Sequence, residues 1–276
     1  MIPKKFEIPL SKNPMETPHP HTLFQTPWNI VVTLGVKCNA NPISRTANIR
    51  YYSSPFDNID TVDGLVSSAK LMASEFKGHM DDVEEWDIKN VKSREGKIIA
   101  KSLNQRSMSD IQYPHFHAGW SNGALTVEDV EKWRDAEETD ILRVWPYLKE
   151  NFLRRQKRLV SILKSENSVL FLRVDTSNLG KRISKHNRAR DLKAFTETLK
   201  AGYPGKRLGL LYFYYEHEEF PRHLSSSEDV CVIRIPSGTE EEIEAFVVKT
   251  LGQLSVLPRA NMLAFEGQAE AAAERS

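Results

Sequence analysis

Apolar positions along the chain fall into two rhythms. Residues 30–34, 169–174, 208–214 and 230–235 are short runs rich in β-branched and aromatic side chains, and they predict buried strands. Residues 49–52 form a weaker run of the same kind, and residues 111–116 a short strand that ends near His115. Between the runs the spacing lengthens to three and four. Val62, Leu65, Ala69, Met72 and Phe76 mark one face of a helix with Asp60 or Thr61 as its cap. Thr126 and Asp129 make a capping pair for a helix through Arg134. Ile141, Val144, Leu148, Phe152, Leu159 and Leu163 predict one long helix that accommodates Pro146. Leu192, Phe195 and Leu199 predict another, and Thr239 with Glu242 opens a last helix over residues 239–254.

Strand and helix signals in alternation predict an α/β fold: a mostly parallel, Rossmann-like sheet with helices on both faces. Residues 86–103 break the alternation. Two polar strands flank Arg94-Glu95-Gly96 and predict a β-hairpin insertion. Residues 1–28 are proline-rich and aperiodic and predict an extended N-terminal arm. Residues 29–265 form one domain, and the polar, alanine-rich residues 266–276 a flexible tail.

Composition narrows the function. The net charge of +1 on 276 residues offers no electrostatic reason to expect a nucleic-acid partner. No apolar run approaches the length of a membrane span, and Lys4 and Lys5 are followed by no apolar core of a signal peptide, so the cytoplasm is the expected compartment. Two cysteines far apart fit reduced thiols. The chain carries no glycine-rich phosphate loop and no spaced Cys/His/carboxylate set, so neither a cofactor nor a metal is expected.

Cys38 follows the first strand by a few residues, after Gly35. Ligands of open α/β sheets gather at the carboxyl ends of strands. A thiol there acts as a nucleophile if nearby positive charge favours the thiolate; otherwise it is a small apolar filler. Lys37 and Arg45 supply charge, and Asn39, Asn41 and Pro42 suit the start of a short helix. Cys231 lies inside a strand and reads as structural. Among eight histidines, His115 is the one at a strand end, fixed by Pro114, and reads as a base or as a packed core histidine. Asp57 follows the Ser54-Pro55-Phe56 turn and either orients a histidine or begins a helix. Arg173 and Asp175 close a strand, where they bind an anionic group or pair with each other. The basic run Arg154 to Arg158 reads as a solvated helix face, and Tyr212 to Tyr215 as an aromatic stretch that is part core and part exposed interface.

Five motifs in order, Thr33-Leu34-Gly35-Val36-Lys37-Cys38, Pro55-Phe56-Asp57, Tyr113-Pro114-His115-Phe116, Arg154-Arg155-Gln156-Lys157-Arg158 and Leu170-Phe171-Leu172-Arg173, give the chain a resemblance. Over residues 29–235 it resembles a bacterial family of uncharacterised proteins named as papain-like cysteine peptidases. It departs from that pattern at Thr33, Lys37 and Phe116. The resemblance implies a cysteine-dependent hydrolase or acyl transferase with Cys38 as nucleophile and His115 as base. Asp57 would be the third member, with Asn39, Arg45, Arg173 and Asp175 as substrate-binding candidates. The substrate would be a peptide, an acyl compound or a saccharide. The competing readings are a glycosyl- or other group-transferase that binds an anionic donor at the same strand ends, and a non-catalytic binding protein.

Overall fold

A computed structural model of the chain describes residues 20–34, 40–49, 54–56, 65–92, 98–107, 112–113, 141–175, 188–215 and 224–257. It is a mixed α/β structure. Among the described residues the strands are β1 (Ile30–Thr33), β2 (Trp86–Lys92), β3 (Ile98–Gln105), β4 (Gln112–Tyr113), β5 (Val169–Asp175), β6 (Leu208–Tyr215) and β7 (Val230–Ile235). Its α-helices are α1 (Thr22–Gln25), α2 (Ala40–Thr46), α3 (Leu65–Ala73), α4 (Ile141–Lys164), α5 (Ala189–Gly202) and α6 (Glu240–Leu251). Strands β1, β5, β6 and β7 form a parallel sheet in that order, and β2, β3 and β4 form a separate antiparallel one.

Because side chains alternate along a strand, the parallel sheet sorts its residues onto two faces. Ile30, Val32, Leu34, Val169, Phe171, Leu208, Leu210 and Tyr212 share one buried cluster with residues of α3, α4 and α5. Val31, Leu170, Leu172, Val174, Leu211, Phe213, Cys231 and Ile233 share the other with α1, α2 and α6. Every residue of β5 is buried, so neither face of this strand meets solvent, which explains its apolar run from Val169 to Leu172.

Two helices end differently from the sequence pattern, and for the same reason. After α3, Phe76 N–H donates to the Leu71 carbonyl at 2.7 Å and Glu75 N–H to Met72 at 2.9 Å, with Glu75 at φ 56°. After α2, Ile49 N–H donates to Ser44 at 3.1 Å and Asn48 to Arg45 at 2.9 Å, with Asn48 at φ 54°. Both are left-handed turns that satisfy the last carbonyls of a helix and fold the next apolar residue back onto it. Phe76 therefore leaves the helix at which its spacing pointed. Ile49 is buried at the end of α2, outside any strand, and the rest of the strand expected over 49–52 lies outside the described residues.

Within the segment read as an extended arm, α1 makes a helical turn that buries Leu23 and Phe24. Trp28 is 1% exposed, and its indole N–H donates to the Leu23 carbonyl at 2.8 Å. The ring is received by Gly209 of β6, where an added Cβ would lie 2.8 Å from it. These apolar residues override the proline-rich composition around them. Pro146 lies exposed in the second turn of α4, where it removes one helical hydrogen bond that the rest of the 24-residue helix outweighs. Thr239 and Glu242 cap α6 reciprocally, as the sequence predicts. The helix expected over 126–134 and the tail over 266–276 lie outside the described residues. Among the described residues no helix is long and apolar enough to cross a membrane.

Candidate functional site at the carboxyl edge of the sheet

The two edges of the parallel sheet are built differently. At the amino edge, polar groups are committed to holding elements together. Asn29 and Ser168 exchange hydrogen bonds at 2.8 to 3.0 Å and lock the start of β1 to that of β5. Lys206 donates to the Ile162 and Ser165 carbonyls and so closes the end of α4. Arg207 lies 4.3 Å above the Trp28 ring and donates to the Pro27 carbonyl.

Toward the carboxyl edge, the face that packs on α3, α4 and α5 changes character row by row. The register aligns Val32, Phe171, Leu210 and Val230 in one row, all aliphatic or aromatic. The next row holds Arg173, Tyr212 and Val232, with Leu34 hydrogen-bonded to Leu172 beside it. The last holds Asp175, Tyr214 and Arg234. Arg173 is 0% and Asp175 2% exposed. They are two residues apart on one strand, so their side chains leave it on the same face. Tyr212 donates its hydroxyl to Asp175 Oδ2 at 2.9 Å. The Tyr212 and Tyr214 rings stack at 6.2 Å with 8° between their planes. The result is a rigid polar band in an otherwise apolar face.

The sequence-predicted site residues divide into three groups. Arg173 and Asp175 stand together in this band. Arg45 is exposed in the last turn of α2, a helix that packs with α6 on the opposite face, so the structure does not bring it to Arg173. Cys38, Asn39, Asp57 and His115 lie outside the described residues. The aromatic run needs correction: Tyr212, Phe213 and Tyr214 are all buried, with Phe213 on one face and the tyrosines on the other, and none is an exposed interface. Cys231 is buried in β7, and burial pushes its thiol pKa up to about 12 despite a hydrogen bond from Ser226, as a structural cysteine requires. Among the described residues no group of three His, Cys, Asp or Glu side chains could hold a metal ion.

Sequence reasoning passed over two features. Tyr212 was visible as the residue two before Tyr214 in a buried strand, but its partnership with Asp175 depends on strand register. His79 follows Gly78 and is 3% exposed within a ring cluster: 6.1 Å from Phe76 and 5.2 Å from Trp86, edge to face. Burial lowers its pKa to about 4 against the opposing pull of its hydrogen bond with Gln105. It is a neutral core histidine joining α3 to the antiparallel sheet. Comparison of the chain with protein-family models, curated proteins and solved structures finds no match.

Proposed function

We propose that the protein is a cysteine-dependent hydrolase or acyl transferase whose site lies at the carboxyl edge of the parallel sheet. One observation carries this reading. The three proposed catalytic residues each follow a described position tied to the same buried cluster that carries Tyr212. Cys38 comes four residues after Leu34, and Asp57 directly follows Phe56. His115 comes two residues after Tyr113, which pairs with Leu103. At roughly 3.5 Å of reach per residue, the tethers measure about 14, 4 and 7 Å at most. The Arg173–Asp175 band lies toward the carboxyl edge of the face that carries Tyr212.

In this mechanism the Cys38 thiolate forms a bond to an acyl carbon, and His115 gives its proton to the leaving nitrogen or oxygen as the bond to it breaks. Water, or a second nucleophile in a transferase, then attacks the thioester with His115 as base, and the thiolate departs. Asp57 orients His115. No cofactor takes part. Iodoacetamide at neutral pH should label Cys38 at least tenfold faster than free cysteine, with the site read by mass spectrometry. Equal rates would sink the proposal.

Arg234 favours a second reading. It is an exposed cation at the end of β7, in register with Tyr214 and Asp175, and suits an anionic group of a donor substrate. A group-transferase of this kind would be stabilised by a sugar nucleotide in a thermal melt, and the stabilisation would survive Cys38→Ala. In the finer fold reading, the sheet is Rossmann-like with helices on both faces, and residues 86–103 are a β-hairpin insertion. The parallel bridge between Val256 and Trp28 supports the first part, since it follows α6 and lies beside β1.

A further inference from the structure

We propose that the outward face of α4 is a docking surface for the start of α6 in a second copy of this chain. The α4 side consists of Arg154 and Lys157, both exposed, and the half-buried Arg158. The cations that flank them on the same helix are paired, Lys149 with Asp81 at 4.0 Å and Lys164 with Glu75 at 2.7 Å. The three in between reach no carboxylate among the described residues, and Arg154 donates to the Asn151 amide oxygen at 3.0 Å. Beyond Glu150, α4 carries no acidic residue to its end at Lys164, so nothing one turn away along the helix neutralises them. Like charges three and four residues apart on a helix repel. The cluster is therefore a cost to the isolated chain that an acidic partner would remove.

The complement lies on the other side of the sheet. Glu240, Glu241 and Glu244 at the start of α6 are exposed and likewise pair with no cation among the described residues. Glu242 is committed to the Thr239 cap. The helix dipole favours acids in the first turn, but Glu244 lies beyond it. The two sets share one spacing. Reading α4 backwards, Lys157 follows Arg158 directly and Arg154 comes four positions on. Reading α6 forwards, Glu241 follows Glu240 directly and Glu244 comes four positions on. Antiparallel apposition of the two helices brings Arg158 to Glu240, Lys157 to Glu241 and Arg154 to Glu244, each set spanning about 6 Å of helix axis. Within one chain this contact cannot form. α4 packs on the sheet face of Phe171 and Tyr212, and α6 on that of Leu211 and Phe213. Each copy thus offers a cationic face on one side and an acidic one on the other, which is a head-to-tail contact. Exposed ion pairs are weak singly and are screened by salt, so the association belongs to high protein concentration and low ionic strength.

The test is sedimentation velocity on the full-length chain, up to about 300 μM, in about 0.02 M and about 0.3 M salt. The expected result is self-association at low salt whose apparent Kd weakens about tenfold or more at high salt. Arg154→Glu with Arg158→Glu should abolish it, and so should Glu240→Lys with Glu244→Lys. Mixed in equal amounts, the two variants should associate again, because the cationic α4 of the second meets the acidic α6 of the first. Thermal melts check that each variant is folded. Gln at the same positions removes the charge without reversing it, and serves where a reversed variant does not fold. A chain that stays monomeric at low salt overturns the proposal. Association that neither pair of substitutions weakens overturns it as well. Loss in both variants without recovery on mixing would remove α6 from the contact and overturn it too.

Discussion

Lowering the pH from 7.5 to 5 should weaken the fold through one residue, His79. The ring is buried among Phe76, Trp86 and the Gln105 side chain, and burial lowers its pKa to about 4. In the unfolded chain the same imidazole titrates near 6.5. Between these values the unfolded state binds more protons than the folded one, so stability rises with pH. The contribution is complete above the unfolded value and is lost as pH falls through the folded one. Linkage puts the loss at about 2 kcal/mol by pH 5 and about 3 kcal/mol below pH 4. Urea unfolding followed by tryptophan emission, at pH 7.5 and pH 5, would measure it. With a slope of about 3 kcal/mol per molar urea, the pH 5 loss moves the midpoint down by about 0.7 M. His79→Phe keeps an aromatic ring in the cluster and removes the titration. It should start less stable because Gln105 loses its partner, yet lose about 2 kcal/mol less than the wild type between the two pH values. If both proteins lose the same amount, His79 is not the buried neutral group described here.

Three further outcomes follow from the packing. Gly209→Ala places a Cβ 2.8 Å from the Trp28 ring and 2.9 Å from Leu23. The ring is held by its bond to the Leu23 carbonyl and cannot give way, so a cost of about 1–3 kcal/mol in urea is expected, and a neutral result would refute the close approach. Tyr203 donates its hydroxyl to the Met72 carbonyl at 2.6 Å and ties the end of α5 to α3. Tyr203→Phe should cost about 1 kcal/mol, since Glu75 N–H still serves that carbonyl, and calorimetry should show a melting point about 2–4 °C lower. Cys231, with its thiol pushed up to about 12, should resist thiol reagents at pH 8 in the native protein and react only in denaturant; full labelling of the native chain would contradict its burial.

What the chain determines by itself is its local periodicity. The buried runs at β5, β6 and β7 and the stripes of α4 and α5 are legible because a strand buried on both faces shows continuous apolar residues and a half-buried helix repeats every three to four. The cap at Thr239 and Glu242 is legible because both partners sit within one turn. Wherever the deciding contact is local but conformational, the pattern misleads: Phe76 carries helical spacing yet follows a left-handed Glu75. Wherever the contact is distant, the pattern is silent. Trp28 belongs to the core only because Gly209, on another strand, leaves room for its ring. Arg173 and Asp175 are recognisable in sequence as polar residues at a strand end. That they are buried, share a face and include Tyr212 in their band follows from the order β1-β5-β6-β7 and its register. Pairing between strands dozens of residues apart is set by how whole faces bury, and no short window of sequence contains that information.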